Sequence, residues 1–379
     1  MRKIALFGGS FDPVQNGHVE FIRLLAARFD KTIVVPCRIS PFKTEADIAS
    51  APDRKAMLAL ALGRLRDVEI SDYELRAAGV SYTCRTLQYY RHKYPDAEFW
   101  IAVGSDMPDR LNDWREAAYL KENAGWFVTG REGFPMDGVA ARRAEGYRIE
   151  TSGVTFPDSS SARVKVDLAF GRTPDVPETV YGYIVRHGLY RKYADMTGRY
   201  PEFGMKQSRI EHTYRAVIAG IRLAKLHGAD TDKAITALIL HDIGKYADEA
   251  VLAAHDLAVP PGAETMPPAV RHAPVGALIA EKCFGITDGD ILAAIRYHTT
   301  GRPGMSVLER VVYLADMIEP GRDFPGADAL RKLAAEDLNA AMYEALKSSL
   351  AYVKACGGAI APETAEACAF YEKSSEVNG

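Results

Sequence analysis

A chain of 379 residues is too long for one comfortable hydrophobic core, so two domains are the starting expectation. Apolar residues at 47%, charged residues at 26% and a net charge of −3 describe a globular chain without the basic stripe that tracks a polyphosphate backbone, which argues against long nucleic acid as a partner. No apolar run reaches the roughly 18 residues of a membrane helix, no secretory pattern opens the chain, and the five cysteines are scattered and never spaced as CxxC; the expectation is a cytoplasmic protein with no membrane span, no disulfides and no thiolate zinc site.

Residues 3–7 form a short apolar run closed by Gly8-Gly9, the pattern of a buried parallel strand. Ser10-Phe11-Asp12-Pro13 turns the chain, Gly17-His18 leads into an amphipathic helix through residue 29, and a second strand follows at 32–36. Strand, glycine loop, helix and strand make a βαβ unit, and further strand and helix patterns lie at 67–71, 82–94, 98–103 and 125–129. The fold class this predicts is an α/β doubly wound parallel sheet, Rossmann-like, with ligands at the carboxyl ends of the strands where Gly8, Gly9 and Gly104-Ser105-Asp106 fall.

The run Gly8-Gly9-Ser10-Phe11-Asp12-Pro13-Val14-Gln15-Asn16-Gly17-His18 resembles the start of a nucleotidylyltransferase of the nicotinate-nucleotide adenylyltransferase family. The resemblance extends to about Tyr190 through Thr83, Gly104, Asp106, Trp114, Arg131, Ser160 and Ser161. It implies transfer of an adenylyl group from ATP, carried with magnesium, to nicotinate mononucleotide, with release of pyrophosphate. Such chemistry needs positioning and charge neutralisation more than covalent steps. His18 at a helix start suits the α-phosphate, Ser160 and Ser161 the leaving phosphates, and Trp114 the pyridine ring. The family's pattern changes at Gln15, at Phe42 beside Lys43, and at Ala162 and Lys165, where an amide, a ring, a methyl and an ammonium replace stronger donors. Lys165 then stands as the catalytic cation in place of a bidentate guanidinium. These changes weaken turnover, and their alternative consequence is a first domain that binds nucleotide as a non-catalytic regulator.

The first domain is expected over 1–193, a linker at 194–206 where charges, Gly198, Pro201 and Gly204 interrupt any periodicity, and a second domain over 207–372 with a polar tail at 373–379. Helical patterns lie at 209–227, 231–240, 269–283, 288–297, 307–318 and 326–347 (the last of these one helix or two), with a final one near residue 365. His212, His241-Asp242, His272, His298 and Asp316 each adjoin one of these apolar runs. A neutral imidazole and an anionic oxygen both ligate divalent cations, and side chains from facing helices can converge inside a bundle. His255-Asp256 repeats the dipeptide but is followed by Pro260-Pro261-Gly262 and no matching partners, so it is read as a decoy.

His241-Asp242-Ile243-Gly244-Lys245, Arg271-His272-Ala273-Pro274, His298-Thr299-Thr300-Gly301-Arg302 and Ala315-Asp316-Met317-Ile318-Glu319-Pro320 resemble the HD-domain symmetrical diadenosine tetraphosphate hydrolases. That resemblance implies an all-α bundle that binds iron, with manganese or another divalent metal as substitutes, and cuts the polyphosphate bridge into two ADP. His212, His241 and Asp316 would hold one metal, His272 and His298 the other, with Asp242 bridging. Lys245 would neutralise the scissile phosphate, and Thr300 with Arg302 a distal one. Another phosphorylated nucleotide is the alternative substrate of such a bundle.

Overall fold

The computed structural model describes residues 1–39, 48–63, 65–77, 79–157 and 159–376. Pro41-Phe42-Lys43 lies outside the described residues. The chain divides into two compact units, residues 1–164 with 173–190, and residues 165–172 with those from 191 onward. Among the described residues no helix is long and apolar enough to cross a membrane.

In the first unit six strands, β1 (Arg2–Gly9), β2 (Lys31–Pro36), β3 (Val68–Ile70), β4 (Ala97–Gly104), β5 (Gly125–Arg131) and β6 (Ile149–Phe156), form one sheet in the order β3-β2-β1-β4-β5-β6. Every neighbouring pair is parallel. Strands covered by helices on both faces read as continuous apolar runs, and Ile4, Ala5, Leu6, Ile33, Val34 and Val35 are all buried. The order reverses between β1 and β4, so the crevice at their carboxyl ends is the binding position of a doubly wound sheet. Gly8-Gly9 and Gly104 close those two strands, as the sequence predicts. The close packing there needs glycine: a Cβ on Gly9 would meet the Phe11 ring at 3.1 Å. Residues 83–93 are helical, and β6 is a strand that the sequence patterns miss.

The second unit is helical, with Gln207–His227, Thr231–Leu240, Pro268–Phe284, Gly289–Arg296, Val307–Ile318, Ala327–Glu336, Leu338–Ala355 and Pro362–Glu376 as its main elements. Thr231–Leu240 is buried almost all round, its Ile235, Leu238, Ile239 and Leu240 fully enclosed. Each such side chain contributes roughly 1.5–3 kcal/mol by leaving water. The helix starts on Asp230, whose side chain accepts from the Asp232 and Lys233 N–H groups, and gives way to turns at His241.

Two boundaries differ from expectation, and the open reading of 326–347 resolves. The segment read as a linker holds a helix at Arg191–Thr197 and a 3₁₀ turn at Tyr200–Phe203, with Tyr193, Tyr200 and Phe203 buried and the Tyr200 hydroxyl donating to Ile239 O at 2.8 Å. Spaced aromatics rather than helical periodicity anchor this stretch, which is why it reads as irregular. The pattern at 326–347 is two helices parted at Asp337, which caps the second. The supposed polar tail continues the last helix to Glu376.

Candidate metal centre and nucleotide site

His241 and Asp242 leave the end of the central helix Thr231–Leu240 and face three other elements. The helix Gln207–His227 supplies His212, Pro268–Phe284 supplies His272, and Val307–Ile318 supplies Asp316, while His298 follows Gly289–Arg296. Two glycines make the approach possible. A Cβ on Gly244 would stand 2.5 Å from the His272 carbonyl oxygen and 2.7 Å from the Gly276 nitrogen, closer than backbone can yield. Gly244 against Gly276 therefore sets the distance between the His241-Asp242 turn and His272.

The structure brings all six predicted ligands together. Asp242 is buried, and its two oxygens face different histidines. Oδ1 lies 3.0 Å from His272 Nε2 and 4.0 Å from His298 Nε2; Oδ2 lies 3.3 Å from His241 Nε2 and 3.7 Å from His212 Nε2. Asp316 Oδ1 approaches His212 Nε2 to 2.8 Å and His241 Nε2 to 3.9 Å, and the Nε2 atoms of His272 and His298 are 3.2 Å apart. Among the described residues two groups have ligand atoms within 4.8 Å of one another: His212, His241 and Asp316, and His241, Asp242 and His298. The first is the predicted trio. The second draws on His241 as well as His298, so His241 faces both groups.

A buried nitrogen without a hydrogen bond costs free energy unless something else satisfies it. Nε2 of His212 and of His241 are such atoms: carboxylates lie close by, yet none sits along the direction of a ring N–H bond. Converging imidazole and carboxylate donors, buried and unsatisfied, fit divalent cations. The protonation states agree at two of the rings, whereas at His241 burial is outweighed by Asp242 and Asp316, which raise its pKa. Burial, reinforced by the neighbouring His241 and His272, pushes His298 down to about 3, and burial also lowers His272, so both rings are in the neutral, ligating form. Burial works against ionisation of Asp242 and Asp316, but the surrounding histidines outweigh it and hold both carboxyls below their usual range.

Around the ligands lie cations, of which sequence reasoning found Lys245 alone. Lys245 Nζ is 3.3 Å from His272 Nδ1, and burial lowers its pKa. Arg209 donates to Asp242 Oδ2 and Arg322 to Asp316 Oδ1, each at 2.8 Å. Arg209 stands one turn before His212, a helical spacing that could have flagged it; Arg322 carries no such signal. Arg302, expected at a distal phosphate, donates to the buried Glu309 at 2.7 and 2.9 Å. Thr300 is buried, its hydroxyl donating to Gly301 O. His255 stacks on Phe203 at 4.7 Å between ring centroids and belongs to neither ligand group.

In the first unit, the helix Asn16–Arg28 begins beside the carboxyl end of β1. His18 Nδ1 accepts from the Gln15 N–H at 3.2 Å, which places the proton of the neutral ring on Nε2. Its ring packs edge-on against Phe11 at 5.1 Å. Gln15 does not present an open amide: it donates to Ser159 O at 3.1 Å and accepts from the Ser159 hydroxyl. Arg131 bridges Asp106 Oδ2 and Ser159 O at 3.1 and 2.8 Å. Ser160 accepts from Arg163 N at the start of the helix Ser161–Ala169, and the Ser161 hydroxyl donates to Pro13 O rather than outward. Lys165, buried on that helix, falls with the second compact unit. Thr83 opens the helix Thr83–Lys93. Trp114 packs edge-on against Trp126 at 5.4 Å with its Nε1 buried and unpaired. Sequence reasoning missed Arg54, which is 2% exposed and donates to four backbone carbonyls, those of Ser10, Cys37, Arg38 and Ala49. It knits the loops that follow β1 and β2.

Comparison with known proteins divides at the same place. A cytidylyltransferase-like family profile matches residues 6–162, and an HD domain profile matches residues 209–321. The symmetrical bis(5'-nucleosyl)-tetraphosphatase of Bacillus subtilis is 40% identical over 167 residues, 42% of this chain and 87% of that protein. A probable nicotinate-nucleotide adenylyltransferase of Clostridium tetani is 30% identical over 200 residues, 50% of this chain and all of that protein. A probable nicotinate-nucleotide adenylyltransferase/Ap4A hydrolase of Mycoplasma pneumoniae is 29% identical over 351 residues, 90% of this chain and 97% of that protein. With its two metal-ligand groups in one half and its doubly wound sheet in the other, this chain belongs to the symmetrical bis(5'-nucleosyl)-tetraphosphatase family through its HD domain and to the nicotinate-nucleotide adenylyltransferase family through its first half.

Proposed function

We propose that the chain is a bifunctional nucleotide enzyme. The HD domain hydrolyses diadenosine tetraphosphate symmetrically to two ADP, and the first half transfers adenylyl from ATP to nicotinate mononucleotide. The observation that carries the first activity is Asp242, whose oxygens face separate histidine groups as a bridge between two cations requires. His212, His241 and Asp316 would hold one ion and His272 and His298 the other, and iron is the metal we assign, with manganese able to replace it. Ions held there polarise a phosphoryl oxygen and lower the pKa of water. The protein supplies the rest. Water adds to one inner phosphorus, the central P–O–P bond breaks, and the leaving ADP takes up a proton. Arg209, Arg322 and Lys245 place positive charge beside the bridge, where several anionic phosphates must gather.

Incubation of the protein with diadenosine tetraphosphate and a divalent metal is expected to yield ADP as the single product. AMP with ATP in equal amounts would contradict the symmetrical cut. Exhaustive chelation is expected to abolish this reaction, and manganese to restore it.

For the transferase, a phosphate oxygen of nicotinate mononucleotide attacks the α-phosphorus of magnesium-bound ATP and pyrophosphate departs. His18 offers a donor through Nε2 at a helix start, where charge accumulates on the α-phosphate. His18→Ala is expected to slow dinucleotide formation by about 10²–10³-fold, the usual consequence of deleting one preorganised donor, with hydrolysis unaffected. Dinucleotide formation from ATP and nicotinate mononucleotide, followed by chromatography, checks this. A protein that binds ATP and forms no dinucleotide would instead be a nucleotide-binding regulator in its first half.

A further inference from the structure

We propose that Glu319 is a positioning residue that aims His212 and thereby controls one of the two cation positions and not the other. The inference rests on the two-cation reading above. Glu319 is 1% exposed and follows the helix Val307–Ile318, three residues after Asp316. Its Oε1 lies 3.1 Å from His212 Nδ1, and its Oε2 accepts from Arg215 Nε at 2.5 Å and from the Gly321 N–H at 2.6 Å. A second guanidinium nitrogen of Arg215 reaches Oε1 at 3.3 Å. The carboxylate is held by donors from two separate elements and has no rotational freedom left.

A carboxylate facing Nδ1 requires the His212 proton there. Nε2 is then a bare lone pair, and it is this buried atom that lacks a hydrogen bond and faces Asp316 and Asp242. The other rings are set differently. Nδ1 of His241 is fixed by Leu238 O at 2.6 Å and Nδ1 of His298 by Ile295 O at 2.7 Å, each a backbone carbonyl three residues back. Nδ1 of His272 faces Lys245. Among these four rings His212 alone takes its aim from a carboxylate distant in sequence. Arg215 has space to lie against Glu319 because residue 321 is glycine: a Cβ there would come within 2.6 Å of the guanidinium.

Losing Glu319 should therefore weaken the cation at the His212–Asp316 end by roughly 10–100-fold, the effect typical of removing a partner that orients a ligand, and spare the other end. The test is titration of the metal-free full chain with manganese(II) alone, followed by calorimetry and by electron paramagnetic resonance, with Tm recorded before metal is added. The wild type is expected to bind two ions, Glu319→Ala one tightly and one weakened, and Glu319→Gln to fall between, since an amide oxygen still accepts from Nδ1. Two ions bound by Glu319→Ala with wild-type affinity and only a lower Tm would overturn the proposal and make Glu319 a brace. Equal weakening of both ions would also overturn it. If Glu319→Ala does not fold, unchanged binding in the near-isosteric Glu319→Gln is the overturning result. A single ion in the wild type would remove the two-cation reading and the inference with it, and that failure appears before any substitution is made.

Discussion

Asp242→Asn is expected to lose hydrolysis of diadenosine tetraphosphate by about 10³-fold while adenylyl transfer stays within experimental scatter. The carboxylate is buried, ionised and surrounded by four imidazoles and Arg209. Losing a group that organises charge at the reacting centre costs roughly 3–4 kcal/mol of transition-state stabilisation, and about 4 kcal/mol corresponds to three powers of ten in rate. The amide keeps the volume, so Tm without metal should change little, which separates lost chemistry from lost folding. Parallel assays of ADP release and dinucleotide formation check both halves on one preparation. Retention of a tenth or more of the hydrolysis would show that Asp242 is not the bridge.

Gly244→Ala is expected to act through geometry rather than charge. The added methyl would press on the His272 carbonyl and the Gly276 nitrogen, neither of which can turn aside as a side chain would. Overpacking of this kind costs about 1–3 kcal/mol in stability. The larger effect falls on the site, because a shift of about an ångström between the His241-Asp242 turn and His272 spoils ligation and can cost on the order of 10²-fold in rate. Tm, bound metal and ADP release measured together provide the check: lower Tm with full metal and full activity would mean that the turn relaxes without moving the ligands.

The ligand set was legible in the sequence because its residues are chemically uncommon inside apolar runs and recur at the spacing of helical elements. His212, His241, Asp242, His272, His298 and Asp316 all converge. What surrounds them was not legible. Glu319, Arg215 and Arg322 are ordinary charged residues whose partners are fixed only when helices pack, and a single chain carries no trace of that pairing. Arg302 shows the same limit: a cation in a glycine-rich loop reads as a phosphate ligand, and its pairing with the buried Glu309, seven residues on, leaves no mark in the sequence. The sheet was legible where strands are buried on both faces. β6, Ile149–Phe156, is half exposed, with Ile149 alone buried, and offers little apolar pattern, so it was missed. The buried guanidinium of Arg54 escaped notice because a charge silenced by backbone carbonyls looks like any surface arginine.

The carbonyls of Leu238 and Ile295 that fix His241 and His298 have a consequence for metal choice. Rings locked by main chain hold their aim in the empty bundle, so an arriving cation neither recruits nor orders them. Imidazole nitrogens presented in fixed positions would favour borderline divalent ions that take nitrogen ligands over hard, oxygen-seeking ones such as magnesium and calcium.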